Sequence, residues 1–171
     1  MQKDKVCIEL NNGKKINLEL FREYAPETVE NFMSLVKSGF YDGLCFHRVI
    51  PEFMIQGGGF TQDANGLNHK PAPRTVRGEF AANGVRNMLR HTPGIVSMAR
   101  TPNPNSASSQ FFICVKELPY LDGQYAAFGQ TADEESLKNA IEISEVKTTR
   151  MGDFDDVPVK PVVIESIRAI E

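Results

Sequence analysis

Within residues 46–61 the chain sets Arg48, Phe53, Met54 and Gln56 into a run that otherwise reads as strand. A guanidinium carries five N–H donors, and a carboxamide offers both donor and acceptor. Burying these groups in an apolar core without partners is costly. A cation and an amide beside large apolar side chains therefore read as the wall of a binding groove. Taken singly, Phe53 and Met54 would be core residues; their grouping with Arg48 and Gln56 moves them to the groove.

Other candidate motifs read as structural. His47 is expected to pack inside, and His69 and His91 fall in loops with no ligand partners at metal spacing. Gly57-Gly58-Gly59 has neither the Lys-Ser/Thr pair nor the following helix of a phosphate cradle, so a bulged strand end is expected. Gly152-Asp153-Phe154-Asp155-Asp156 ends in Val157 and lacks calcium-loop spacing, which leaves a solvated turn. No serine sits in a Gly-x-Ser-x-Gly elbow, which disfavours a hydrolase. No cofactor is expected.

These residues need a scaffold, and 171 residues suffice for one domain over 1–171 that buries roughly 70% of its unfolded surface. Residues 6–10 and 16–20 alternate apolar and polar around Asn11-Asn12-Gly13, a hairpin signature. Pro26 starts a helix that Gly39 stops, with Val29, Phe32, Met33 and Val36 on one face. Strands are expected over 45–50, 53–57, 94–98, 111–115, 126–129 and 162–170. Residues 61–93 read as a long loop-rich stretch that Val76 and Phe80 could pin. A second helix is expected over 134–143, with Leu137, Ala140 and Ile141 inward. Many short strands with two helices suggest a closed or nearly closed antiparallel barrel.

A net charge of −3 is too weak to imply a nucleic-acid or membrane partner. Residues 69–100 hold six bases and one acid, whereas residues 131–171 hold ten acids and five bases. The basic stretch reads as a solvated face; strong salt-dependent binding to RNA would be the evidence against that. Lys3, Asp4, Lys5 and Glu9 interrupt any leader-like apolar run. Cys7, Cys45 and Cys114 lie far apart in apolar stretches, as buried thiols of a reducing, cytoplasmic compartment do.

Three separated motifs then combine. Residues 46–61, Ser97-Met98-Ala99-Arg100 with Ser109-Gln110-Phe111-Phe112-Ile113, and Leu121-Asp122-Gly123 with Phe128-Gly129 resemble the cyclophilins, peptidyl-prolyl cis-trans isomerases. The resemblance runs from Ala25-Pro26-Glu27-Thr28-Val29 with Asn31-Phe32 to Val163-Ile164-Glu165-Ser166. Met98-Ala99-Arg100-Thr101 and Ser106-Ala107 look more like bacterial members than animal ones.

The resemblance implies a mainly β fold, an eight-stranded antiparallel closed barrel with two α-helices, and a proline-binding groove on its outer wall. It implies Arg48 as the catalytic donor to the twisted imide, and Phe53, Met54, Phe112 and Leu121 as the apolar proline pocket. Gln56 would hold a peptide carbonyl, and Ala99, Arg100 and Gln110 would line the track of the peptide backbone. Tyr120 stands where many members have tryptophan and Tyr125 where many have histidine, so weak cyclosporin binding is expected. Arg100 replaces the asparagine common in animal members and is expected to favour acidic or carbonyl-rich substrate segments.

An arginine stays protonated at any working pH, so activity should be flat across neutral pH. The expected partners are proline-containing peptides and unfolded protein chains, with no nucleic acid, no membrane and a monomeric chain. The competing reading is a proline-peptide binding module with incidental turnover. The intact pair Arg48 and Gln56 favours the enzyme, because a pure binder has no need of a donor placed for the twisted state.

Overall fold

The computed structural model describes residues 4–170. Lys3, one of the charges read against a leader, lies outside them, as does Glu171. Among the described residues twelve strands and two α-helices occur in order: β1 (Asp4–Leu10), β2 (Lys15–Leu20), α1 (Pro26–Lys37), β3 (Arg48–Ile50), β4 (Met54–Gly57), β5 (Phe60–Asp63), β6 (Gly66–His69), β7 (Ile95–Met98), β8 (Phe111–Cys114), β9 (Ala127–Thr131), α2 (Glu134–Ser144), β10 (Thr148–Met151), β11 (Phe154–Pro158) and β12 (Ile164–Ile170).

Eight strands form one antiparallel sheet in the order β12-β1-β2-β9-β7-β8-β4-β3. The sheet curls, and its two edges meet along an irregular seam. Cys45 bridges Val163, the Phe46 N–H donates to the Val162 carbonyl, and the Ile164 N–H donates to the Leu44 carbonyl. The expected closed barrel is thus a curled sheet joined by a few bonds, not a continuous ladder. Pro161 lacks a donor and keeps β12 from extending upstream. β1 ends at Leu10, opposite Ile164, so the strand expected from 162 starts at Ile164.

The stretch 61–93, expected to be loop-rich, opens with most of the β5–β6 hairpin, which begins at Phe60. No clear alternation in the sequence signals a second small hairpin, β10–β11.

Inside the curl, Phe32 of α1 meets Tyr41, Phe111 and Phe128 at ring-centroid distances of 5.3, 5.5 and 5.3 Å. Val29, Phe32, Met33 and Val36 are buried as their spacing predicts. Helix α2 departs from expectation. Its buried residues are Ser136, Asn139, Ala140, Ile143 and Ser144, whereas Leu137 and Ile141 are half-buried. The reason is polar. On its β9 side, β2 is paired only over Leu18–Leu20, which leaves Lys15 and Asn17 without strand partners there. The Ser136 hydroxyl accepts the Asn17 N–H at 2.8 Å, and Asn139 donates to the Lys15 carbonyl at 2.8 Å. Backbone groups that the ladder leaves unpaired thus draw a polar stripe inward. Among the described residues no helix is long and apolar enough to cross a membrane.

The long segment after β6 is held by its own side chains. Val76 donates its N–H to Ala107, and Phe80 is buried in the inner core. Lys70 donates to the Phe40 carbonyl at 2.7 Å and lies over the Phe40 ring, and Arg74 donates to the Asn31 side chain at 3.0 Å. Two of the bases read as a solvated face therefore act as staples.

Glu79 does more. Helix α1 has no side-chain cap from Ala25, its own N-cap residue. Instead one carboxylate oxygen of buried Glu79 accepts both the Thr28 N–H, at 2.6 Å, and the Thr28 hydroxyl, at 2.7 Å. An anion from a distant segment thus satisfies an orphan donor at the positive end of the helix.

Both Glu79 and the buried ring of His47 should be visible in stability measurements. Replacing Glu79 by Ala strands the buried Thr28 donor and should cost about 2–3 kcal/mol of stability, read by urea unfolding. His47, packed against Phe60 at 4.6 Å, has an Nδ1 that is buried without a partner. Burial, and secondarily the Arg48 charge, push its pKa down from 6.5 to about 4. Because the folded ring binds a proton less readily than the unfolded one, its contribution is complete above about 6.5 and is lost as the pH falls toward 4. The wild-type chain should lose on the order of 3 kcal/mol more than His47→Gln between pH 7 and pH 4. Equal losses in the two proteins would refute this.

Candidate active site

The groove arises from strand register. In β3 and β4, Arg48 lies opposite Gln56; in β4 and β8, Gln56 lies opposite Phe112; in β7 and β8, Ser97 lies opposite Phe112. Directly opposed residues share a sheet face. Arg48, Gln56, Phe112 and Ser97 therefore form one row across four strands. Their neighbours Val49, Ile55, Val96, Met98, Phe111 and Ile113 point the other way and belong to the inner core. Met54, Phe112, Cys114, Leu118 and Leu121 make a separate apolar cluster on the outer face, flanked by Ile50, Phe53, Ala99 and Tyr125.

This outer cluster carries a cavity of about 190 Å³ lined by Arg48, Phe53, Met54, Gln56, Ala99, Arg100, Phe112, Leu121 and Tyr125. That is below the range of about 300–1,000 Å³ usual for drug-sized ligands and suits a single small ring. Met54, Phe112 and Leu121 form a largely buried floor, at 2%, 5% and 9% exposure. The Arg48 guanidinium carbon stands 5.9 Å from the centre of the Phe53 ring, at the polar rim.

Gln110 lies outside the cavity lining but accepts a hydrogen bond from Gln56 Nε2 at 3.1 Å, so it orients that amide. Tyr120 is 66% exposed on the short turn before Leu121, also outside the lining. Gln110 is itself held from behind. Asn31 of α1 donates to the Ser108 carbonyl, Tyr41 donates to the Ser109 carbonyl, and the Ser109 hydroxyl donates to the Gly58 carbonyl at 2.8 Å. Here the glycine run has its use. Gly58 sits at φ +91, and a Cβ on Gly59 would lie 2.5 Å from Gln110 Cγ. The run is a point of close chain approach as well as a bend after β4.

Sequence reasoning missed the support beneath Phe112. His91, wholly buried, stacks on that ring at 6.1 Å and 17°. Its Nδ1 faces Asp122 Oδ1 at 2.9 Å, and its Nε2 faces the Ser97 hydroxyl at 2.9 Å. Burial lowers the pKa of the ring, against the pull of Asp122, and a neutral ring satisfies both contacts by donating to the carboxylate and accepting the hydroxyl. The three residues repeat the order of a hydrolytic triad, but Ser97 is 0% exposed beneath Phe112 and out of reach of any substrate. They form a brace for the pocket floor. Leu121-Asp122-Gly123 is visible as a motif, but no spacing signal joins it to His91 and Ser97.

Comparison with known proteins identifies the family. Residues 5–169 match the model of the cyclophilin type peptidyl-prolyl cis-trans isomerase/CLD family. A peptidyl-prolyl cis-trans isomerase of Streptomyces antibioticus is 45% identical over 95% of this chain and 98% of its own length. Peptidyl-prolyl cis-trans isomerase B of Escherichia coli is 38% identical over 97% of this chain and 99% of its own. A solved cyclophilin type isomerase of Cryptosporidium parvum, crystallised in the presence of the dipeptide Ala-Pro, superposes with a TM-score of 0.76 at 29% identity, covering 98% of this chain and 99% of that one. The chain belongs to the cyclophilin type peptidyl-prolyl cis-trans isomerase family, whose members accelerate rotation about X-Pro peptide bonds.

Proposed function

We propose that the outer groove of β3, β4, β8 and β7 is where this enzyme turns X-Pro bonds over, with Arg48 as the catalytic donor. Amide resonance opposes rotation by roughly 18–20 kcal/mol, and spontaneous exchange takes tens to hundreds of seconds. Reaching milliseconds requires about five decades, or about 7 kcal/mol. Only interactions stronger in the twisted state than in either planar isomer contribute. When the bond twists, the prolyl nitrogen recovers its lone pair and becomes an acceptor. An N–H of Arg48 aimed at that nitrogen gains strength at that moment, and a hydrogen bond to a charged group contributes roughly 1.5–3 kcal/mol.

The rest is assigned to two other features. Met54, Phe112, Leu121 and Phe53 hold the proline ring in a water-poor slot, where a fixed charge acts more strongly. Gln56, oriented by Gln110, holds a peptide carbonyl so that one side of the bond stays still while the other turns. The observation that carries this reading is the row Arg48–Gln56–Phe112, which sets the donor and the apolar floor on one face of the sheet.

The substrates inferred are proline-containing peptides and flexible or unfolded chain segments. We read the chain as one domain, its eight-stranded sheet drawing strands from β1 to β12, and as acting alone. A cytoplasmic setting is inferred from Cys7, Cys45 and Cys114, all free thiols with no disulfide between them. Cyclosporin binding is inferred to be weak, because Tyr120 offers a hydroxyl on an exposed turn where an indole N–H would stand.

The test is an exchange assay on an X-Pro peptide, by protease coupling or by NMR. Arg48→Ala should lower kcat by roughly one to two decades while peptide affinity stays within about threefold, the share of one charged hydrogen bond. Equal loss of turnover and affinity would favour a binding module instead. Tyr120→Trp should tighten cyclosporin inhibition by up to about tenfold, the value of one neutral hydrogen bond. Unchanged inhibition would remove that assignment.

A further inference from the structure

The sequence suggests that Arg100 offers its charge to the substrate, but its surroundings point elsewhere. Its guanidinium carbon lies 4.8 Å from the centre of the Phe80 ring and 4.8 Å from the centre of the Tyr125 ring. Its Nε and Nη2 both donate to the Gln124 carbonyl, at 3.1 and 2.7 Å, and its Nη1 donates to the Thr101 carbonyl at 3.0 Å. Three donor nitrogens are thus spent on backbone oxygens, and two aromatic rings stand against the planar group.

Three segments distant in sequence converge on this side chain. Phe80 lies midway along the segment between β6 and β7, Arg100 follows β7, and residues 121–125 carry the pocket wall. The Ala82 N–H donates to the Gly123 carbonyl at 2.8 Å, which joins the first and third segments a second time. Tyr125 in turn meets Phe112 edge-on at 5.6 Å and 88°, and both rings line the cavity with Leu121.

We infer that Arg100 is a positioning residue for the isomerase site: it clamps the Gln124 carbonyl and the Tyr125 ring, and so presets the Leu121–Tyr125 wall against which the proline ring seats. It does not select for acidic residues before proline. The geometry requires a guanidinium. A planar fork can grip the Gln124 carbonyl through two nitrogens and the Thr101 carbonyl through the third while two rings stand beside it, whereas a single ammonium nitrogen cannot make that whole set of contacts at once. The inference rests on the groove being the isomerase site.

The test measures kcat and KM for three tetrapeptides with Glu, Ala or Lys before proline, in the wild type, Arg100→Lys and Arg100→Ala, together with each protein's melting temperature. Wild-type inactivity on all three peptides would remove the underlying reading of the groove, an outcome distinct from any effect of the two variants. With an active wild type, Arg100→Ala should raise KM roughly five- to tenfold for every peptide, as the loss of such contacts implies, with kcat changed much less. The Glu-to-Lys preference should stay within about threefold of wild type, and Arg100→Lys, which keeps the charge and the fold but lacks the fork, should resemble Arg100→Ala. Three results would overturn the inference: rescue by lysine with a shifted Glu-to-Lys preference, unchanged KM in both variants, or a lowered melting temperature with KM intact. If Arg100→Ala does not fold, Arg100→Lys against wild type decides the same question.

Discussion

A sheet has two faces, and successive side chains must alternate between them. That constraint organises this molecule. The interior of the curl takes Val49, Ile55, Val96, Phe111 and Ile113, so Arg48, Gln56, Ser97 and Phe112 are placed on the outer face. A slip of one residue in β3 or β4 would bury the Arg48 cation or the Gln56 amide and turn Val49 or Ile55 outward, and a slip in β8 would turn the core ring of Phe111 outward. The stability of the interior thus enforces the composition of the groove, and no separate device is needed to bring the guanidinium beside the apolar floor.

What the strands place, the remaining segments hold. Helix α1 buries Phe32 among three other aromatic rings and extends Asn31 to the chain just before Gln110. The long segment after β6 returns Glu79 to the start of that helix and Phe80 to Arg100. From below, His91 links Asp122 to Ser97 under Phe112. Preorganisation of this kind matters for a reaction in which no bond is made or broken. All the catalytic advantage lies in a fit that improves at the twisted geometry, and a floppy site would adapt equally well to the planar forms.

Much of this was legible in the chain. The alternation in β1 and β2, the Pro26 start and the i, i+3, i+4, i+7 pattern of α1 are local signals and they hold. Elsewhere, local signals misled for identifiable reasons. On α2, Leu137 and Ile141 were expected inward with Ala140, yet the unpaired edge of β2 draws in Ser136 and Asn139. Residues 60–69 carry little apolar alternation, because neither small hairpin strand buries a full face, and so β5 and β6 read as loop.

By itself the sequence determined which residues could serve: a cation, an amide and several large apolar side chains, spaced so that strand periodicity assigns them to one face. Tertiary structure alone decided what each of them touches. It put Tyr120 out on a turn, spent Arg100 on two carbonyls and two rings, and made a brace of His91, which the sequence placed only in a loop. The physical reason is that periodicity is a property of neighbours along the chain, whereas a hydrogen bond or a ring contact joins positions such as 79 and 28, or 100 and 124, that only the closed fold brings within reach.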